Sequence, residues 1–210
     1  MSDPADLVSR LRSGADSLGL NLEAEQIDRL LGYLELLDKW GRTYNLTAIR
    51  DRRSAVDRHL LDSLAVNAFL AGGRVLDVGT GAGLPGIPLA IVNPGMTFGL
   101  LDRSSKKIRF VRQAILSLGL KNAEAVAARV EDFAPEAPFD VVLARAFASL
   151  ADIWRGAAPL LAPGGRVLAM KGQWPEAEIG RLGHAVNLRV HAVPVPGMDA
   201  ERHLVEMSEN

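Results

Sequence analysis

The chain has 210 residues, 48% of them hydrophobic and 23% charged, with a formal net charge of −1 and no cysteine. That length buries a full core as one domain with an elaboration, and the composition excludes a disordered segment. Without cysteine there is no disulfide, no cysteine-ligated metal and no cysteine nucleophile, and the near-neutral charge is not that of a strongly basic nucleic-acid binder.

Residues 1–72 read as a helical cap. Met1-Ser-Asp-Pro-Ala-Asp6 lacks the basic start and apolar core of a secretory signal, and no apolar run approaches the ~20 residues that span a bilayer. A cytoplasmic protein, away from membranes and monomeric, is expected. Leu7, Leu11, Ala15 and Leu18 suggest a first, weak helix. Ile27, Leu30, Leu31, Leu34 and Leu37 keep the three-and-four spacing of a second, closed by Trp40-Gly41. Tyr44-Asn-Leu-Thr-Ala-Ile49 reads as a turn or extended link, and Leu60 to Leu70 as a third helix ended by Gly72-Gly73.

From residue 73 to 210 strands and helices alternate. Strands are expected at Val75–Val78, Met96–Leu101, Ala123–Ala127, Phe139–Leu143 and Arg166–Met170, the last after a Pro163-Gly-Gly165 turn. Helices are expected at Leu84–Val92, at Ser104–Leu118 with Ser104 as N-cap, at Ser149–Leu161 and at Glu176–Ala185. Two closing strands, Leu188–Val193 and His203–Glu206, complete the chain. Such alternation predicts a mostly parallel sheet with helices on both faces.

The most informative stretch is Val75-Leu-Asp-Val-Gly-Thr-Gly-Ala-Gly83, followed by Asp102 after the next apolar run. A strand that ends in an acid and enters a glycine turn, with a second acid about twenty residues on, is how a parallel α/β sheet receives a nucleoside-containing cofactor. Gly79, Gly81 and Gly83 permit a tight turn and a close ligand. Asp102 is placed to accept hydrogen bonds from ribose hydroxyls. The turn reads in two ways. Gly81-Ala-Gly83-Leu-Pro-Gly86 fits a dinucleotide fingerprint, whereas Asp77-Val-Gly79-Thr-Gly81-Ala-Gly83 fits the looser turn that binds S-adenosylmethionine. Asp77 would repel a pyrophosphate but attract a methionine ammonium. A long helical segment precedes the motif, and Arg129-Val-Glu131-Asp132 follows strand three, where a methyltransferase usually contacts adenine. Pro85 and Pro88 disfavour a helix N-terminus that cradles a pyrophosphate. The methyl donor is favoured, with an NAD-dependent oxidoreductase as the alternative from another class.

Ligands in this fold sit at the carboxyl ends of the strands. Strand four ends in Leu143-Ala-Arg145-Ala-Phe147-Ala-Ser149, which is not the Asn/Asp-Pro-Pro-aromatic loop that holds an exocyclic amine. Methylation of pyrimidine C5 needs a cysteine nucleophile. What remains is an atom already nucleophilic, or an oxygen served by a base. Arg145 is either a structural ion-pair partner or a clamp on substrate and cofactor. The four histidines show no metal spacing, and no metal is expected.

Several segments taken in order resemble the bacterial GidB/RsmG family, 16S ribosomal RNA guanine-N7 methyltransferases: Tyr44-Asn-Leu-Thr-Ala-Ile49, His59-Leu-Leu-Asp62-Ser63, Leu76 to Gly86, Asp102-Arg-Ser-Ser-Lys-Lys107, Arg145 to Ser149, Met170-Lys-Gly172 and Glu201-Arg-His-Leu-Val205. The resemblance implies a class I, Rossmann-like methyltransferase with a seven-stranded, mostly parallel sheet. It also implies S-adenosylmethionine as cofactor and 16S ribosomal RNA or the small ribosomal subunit as partner. Cofactor contacts are then expected at Asp77, Gly79, Gly81, Leu84, Asp102, Val130, Glu131 and Arg145. Asn45, His59, Asp62, Arg145 and Lys171 would face the RNA, with no general base among them. His59 and Asp62 are expected to pair with each other, or to link cap and sheet. Arg50, Arg52, Arg53, Lys106 and Lys107 would touch phosphates, although from composition alone they read as solvated helix faces.

Overall fold

The computed structural model describes residues 3–44, 46–70, 72–145, 148–182 and 186–210, with the backbone alone for 42–44. Asn45, Ala146, Phe147 and His184 therefore lie outside the described residues.

The cap begins with helix α1 (Pro4–Ser17), started by Asp3, whose side chain accepts from the Ala5 amide. Helix α2 (Ala24–Tyr44) follows, burying Ile27, Leu30, Tyr33 and Leu37. The third expected helix, Leu60 to Leu70, starts earlier. Asp51 caps α3 (Arg52–Ala55) by accepting from the Ser54 amide at 2.8 Å, and α3 runs straight into a π-helical turn (Val56–Leu61) and α4 (Asp62–Leu64). Asn67–Phe69 is only a 3-10 turn. Hydrophobic periodicity misplaced this element because its buried face carries Asp57, His59, Asp62 and Ser63.

The sheet follows: β1 (Arg74–Val78), β2 (Thr97–Asp102), β3 (Ala123–Ala127), β4 (Phe139–Arg145), β5 (Leu161–Lys171), β6 (Val186–Ala192) and β7 (His203–Glu209). Their spatial order is β3-β2-β1-β4-β5-β7-β6. Strands β1 to β5 pair in parallel, and β7 lies antiparallel between β5 and β6. Strand β4 is longer than expected and carries Arg145 as its last residue. Strand β5 also starts earlier. The Pro163-Gly-Gly165 turn is present as an irregularity inside it, where the register jumps from Phe139↔Leu161 to Val141↔Arg166. A Cβ on Gly165 would stand 3.0 Å from the Phe139 carbonyl, so the two backbones approach there as only glycine permits.

Helices α5 (Gly86–Val92), α6 (Ser105–Ser117), α7 (Leu150–Ala157) and α8 (Glu176–Ile179) complete the chain. Ser104 caps α6, as its position suggests. Helix α7 is shorter than expected because Ala158–Leu160, with Pro159, tightens into a 3-10 turn. Helix α8 ends at Ile179, with Gly180 as its C-cap, well short of the expected Ala185. One hydrophobic cluster unites α1, α2 and the Val56–Leu64 segment with α5, α6 and one face of the sheet. A second joins the other face to α7. Each fully buried leucine contributes roughly 2 kcal/mol, so the cap is held to the sheet chiefly by apolar packing.

Candidate functional site at the strand ends

The carboxyl ends of β1 to β4 converge on a cavity of about 450 Å³. Val78 and Gly79 line it from β1, Leu101 and Asp102 from β2, Val130 and Glu131 from the segment after β3, and Arg145 from β4. Strand β1 has β2 on one side and β4 on the other, so the cavity lies at the switch point where such sheets take ligands. A second cavity, about 240 Å³ within the cap, is lined largely by apolar residues such as Leu7, Leu31 and Leu34. No strand end opens into it, so the strand-end cavity is the candidate site.

The glycine turn above β1 is built from local hydrogen bonds. Gly79 and Gly81 have φ of 69° and 61°. A Cβ on Gly81 would meet nothing closer than the Gly79 carbonyl at 3.8 Å, so it is the positive φ, not space, that asks for glycine there. The Thr80 amide donates to the Leu101 carbonyl at 3.0 Å, tying the turn to β2. Asp77 is fully buried. Its Oδ2 accepts from the Thr80 hydroxyl at 2.6 Å and from the Gly86 amide at 2.9 Å, while Oδ1 has no partner. Burial pushes this carboxyl up to about 6, although Thr80, Gly86 and the Arg145 charge pull it down. An unpartnered buried oxygen is costly.

Asp102 is buried at the end of β2. Its Oδ2 accepts from the Gly81 amide at 3.0 Å and its Oδ1 from the Ser104 amide at 2.8 Å, with Lys107 Nζ 3.8 Å from Oδ2. A carboxylate has about four acceptor positions, so capacity remains for ligand hydroxyls. Leu84, expected beside the cofactor, is buried in the core, and neither it nor Asp77 nor Gly81 lines the cavity.

Arg145 is an ion-pair partner and also stands on the cavity wall. It lines the cavity, and its Nη1 donates to Asp62 Oδ2 at 3.2 Å. The other oxygen of Asp62 accepts from Arg202 Nε at 2.7 Å. The buried Asp62 carboxylate thus joins the cap to β4 and to the residue before β7. The expected His59–Asp62 pair does not form. The π-helical turn rotates residues three apart away from each other, as the Asp62 amide bonding back five residues to the Asp57 carbonyl shows. His59 Nε2 instead lies 2.8 Å from Thr47 Oγ1. Burial, then the Arg145 charge, lowers His59 to about 4, leaving the ring neutral at pH 7.

Lys171, at the end of β5, donates to the Ala148 carbonyl at 3.0 Å and to Glu178 at 2.8 Å. Glu178 also accepts the Leu150 amide at 2.7 Å, in the first turn of α7, which Ser149 caps. Burial raises Glu178, but Lys171 and that amide outweigh it and hold the carboxyl below its usual range. Lys171 therefore braces a loop rather than offering a free ammonium. Arg52 pairs with Glu35 at 3.1 Å and Arg53 with Asp6 at 2.7 Å, both exposed. Arg103 and Lys107 line the cavity itself.

Sequence reasoning missed Tyr33, which is buried in α2 and donates its hydroxyl to the Ala82 carbonyl at 2.8 Å, so the cap supports the glycine turn. Burial drives that hydroxyl far above its usual titration range. A tyrosine among the leucines of an apolar helix face was the available signal. Arg202, within Glu201-Arg-His-Leu-Val205, was given no expected role although it holds Asp62. Among the described residues no cluster of acids and histidines could hold a metal ion, and no helix is long and apolar enough to cross a membrane.

Comparison with known proteins follows the same line. Among solved structures, the fold resembles the DhpI–SAH complex at TM-score 0.60, with 18% identity over 90% of this chain and 99% of that one. It also resembles the N-methyltransferase NodS from Bradyrhizobium japonicum at TM-score 0.56, with 15% identity over 82% and 98%. At such identities the likeness speaks for the fold alone. A protein of Methylococcus capsulatus called ribosomal RNA small subunit methyltransferase G is 58% identical, covering 94% of this chain and 96% of its own length. One of that name from Yersinia enterocolitica is 48% identical over 97% and 100%. The GidB family model, described as rRNA small subunit methyltransferase G, matches residues 26–205. The chain belongs to this GidB family of methyltransferases.

Proposed function

We propose that the strand-end cavity holds S-adenosylmethionine and that the enzyme transfers its methyl group to N7 of a guanosine in 16S ribosomal RNA. The observation that carries this reading is the meeting of Gly79, Asp102, Val130, Glu131 and Arg145, from four separate strand ends, on one cavity. The residues present suit the cofactor. Asp102 retains acceptors for ribose hydroxyls, and Val130 and Glu131 border the place for adenine. When bound, the cofactor supplies an electrophilic sulfonium methyl.

Guanine N7 carries a lone pair and no proton, so no residue has to act as a base. The protein's task is to align N7 and exclude water, and alignment alone supplies effective molarities of ~10⁵ M or more. Arg145, fixed by Asp62, holds a positive charge on the cavity wall. His59, Asp62 and Lys171 act in this reading by holding that wall and its loops, and Asn45 joins Arg145 as an RNA contact. Residues 1–72 form the cap and 73–210 the catalytic core of a cytoplasmic monomer that needs no metal and acts on the small ribosomal subunit or its RNA.

Titration calorimetry with S-adenosylmethionine and with NAD, followed by transfer of labelled methyl to small-subunit ribosomal RNA, tests the reading. Binding of S-adenosylmethionine alone, with label entering the RNA, is expected. NAD binding in its place, or label entering only small molecules, would overturn it.

A further inference from the structure

Among the described residues, two large apolar side chains stand exposed, Leu116 at 76% and Trp174 at 54%. Leu116 is near the end of α6, which runs back against the strands, so it lies toward their amino ends and away from the site. Trp174 is different. It follows β5 by three residues, and the last residue of β5, Lys171, pairs with His203 of β7. One position back, Met170 pairs with Arg145 of β4. Trp174 and His203 therefore border the same carboxyl edge as the cavity-lining Arg145.

The indole is steadied rather than covered. The His203 ring meets it edge to face, centroids 5.5 Å apart and planes at 84°. One such contact shields at most one indole face. A cation stands beside the same segment: a Cβ on Gly172, two residues before Trp174, would be 3.8 Å from Arg202 Nη1, and Arg202 is anchored by Asp62 and the Glu201 carbonyl. An exposed aromatic near a fixed guanidinium, on the carboxyl edge of the sheet, is the chemistry that takes an unstacked base of single-stranded nucleic acid.

We propose that Trp174, braced by His203 and with Arg202 beside its segment, is a stacking platform for an unpaired base of the ribosomal RNA next to the methylated nucleotide. This rests on the ribosomal RNA reading above. Bringing one nucleotide into the site breaks its stack with a neighbour, and the indole face replaces the lost partner for that neighbour. Stacking is tolerant of base identity, so the platform adds affinity and register rather than sequence preference.

The experiment is a binding titration of 16S ribosomal RNA and of small ribosomal subunits against wild type, Trp174→Ala and Trp174→Phe, with methyl transfer measured in parallel. Trp174→Ala should weaken RNA binding roughly five- to a hundredfold. The slope of affinity against salt should stay unchanged, because no phosphate contact is lost, and cofactor affinity should also hold. Trp174→Phe should recover most of the loss. In the wild type, the fluorescence component absent from Trp174→Phe should be quenched by RNA, which reports on the indole even if the alanine variant folds poorly. Wild-type RNA affinity in Trp174→Ala with no quenching overturns the proposal. Weakened binding to subunits with normal binding to naked RNA also overturns it, because the indole then meets a ribosomal protein. A wild-type enzyme that neither binds nor methylates ribosomal RNA would instead refute the reading on which the platform rests.

Discussion

The glycine turn and the helical cap meet at the same edge of the sheet, yet they are held by opposite means. The turn is local. Asp77 is bonded by Thr80 and Gly86, three and nine positions away, and Gly81 by Asp102, twenty-one away. The cap is tied by distant partners: Arg10 to Asp57 across 47 positions, Tyr33 to Ala82 across 49, Arg145 to Asp62 across 83 and Arg202 to Asp62 across 140. A ligand site made of local turns can be read from residue spacing. A wall made of long-range ion pairs cannot, because a buried, paired acid and a surface acid look alike in a sequence.

The largest expected effect is at the joint between the two regions. Asp62→Ala leaves Arg145 and Arg202 facing each other without their shared carboxylate. Breaking a buried pair of this kind costs about 3 kcal/mol, which urea unfolding will show, and methyl transfer should fall further than cofactor affinity. A stability loss under about 1 kcal/mol would mean that apolar packing alone docks the cap.

Asp77 tests the turn side. Its folded carboxyl titrates near 6 against 3.8 for the unfolded chain, so its contribution to stability is full below about pH 4 and is lost as the pH rises through 6. The total is roughly 3 kcal/mol. His59 runs the other way: lowered from 6.5 to about 4, it contributes stability above pH 6.5 that is lost as the pH falls through 4. The two slopes oppose each other in the wild type. Asp77→Asn should therefore gain stability relative to wild type between about pH 4 and pH 7. Melting curves that stay parallel across that range would show that Asp77 is not strained by burial.

Asp102→Ala should raise the cofactor dissociation constant roughly tenfold or more, since charge-assisted hydrogen bonds are worth about 1.5–3 kcal/mol each. Because Asp102 also holds the Gly81 and Ser104 amides, Asp102→Asn should fall in between. Unchanged affinity in calorimetry would leave Asp102 a purely structural acid. The smallest effect is expected from Arg52→Ala with Arg53→Ala. If these arginines leave Glu35 and Asp6 to meet RNA, the salt slope of binding drops by about 1.4 for two phosphates. Loss of cofactor binding before RNA binding would assign both to cap docking instead.

The same contrast explains what could be read in advance. The order of strands and helices from residue 73 followed from apolar runs between glycine and proline breaks, and so did Asp102 at the end of β2. Arg145 was placed at a strand end, but whether it was an ion-pair partner or a cavity wall needed Asp62 to be located. The start of α3 was hidden because Asp57, His59 and Asp62 occupy positions where a buried helix face normally carries leucine or valine. The His59–Asp62 pair was expected from α-helical spacing, and no pattern in the residues announced a π-helical turn. Lys171 was expected to face the RNA, and its partner Glu178, seven positions on, carries no mark in the sequence. Tyr33 was not anticipated at all, because nothing local marks its hydroxyl's partner, Ala82, 49 positions away.

The most direct test of how turn and cap work together is the chemical identity of the product. Small-subunit ribosomal RNA incubated with the enzyme and S-adenosylmethionine, digested to nucleosides and analysed by mass spectrometry against standards, should contain one new 7-methylguanosine per RNA, absent without enzyme and reduced by Asp102→Ala. Methyl found on an exocyclic amine, a ribose oxygen or a pyrimidine carbon, or no methyl at all with the cofactor bound, would contradict a site built to align a base nitrogen without a general base.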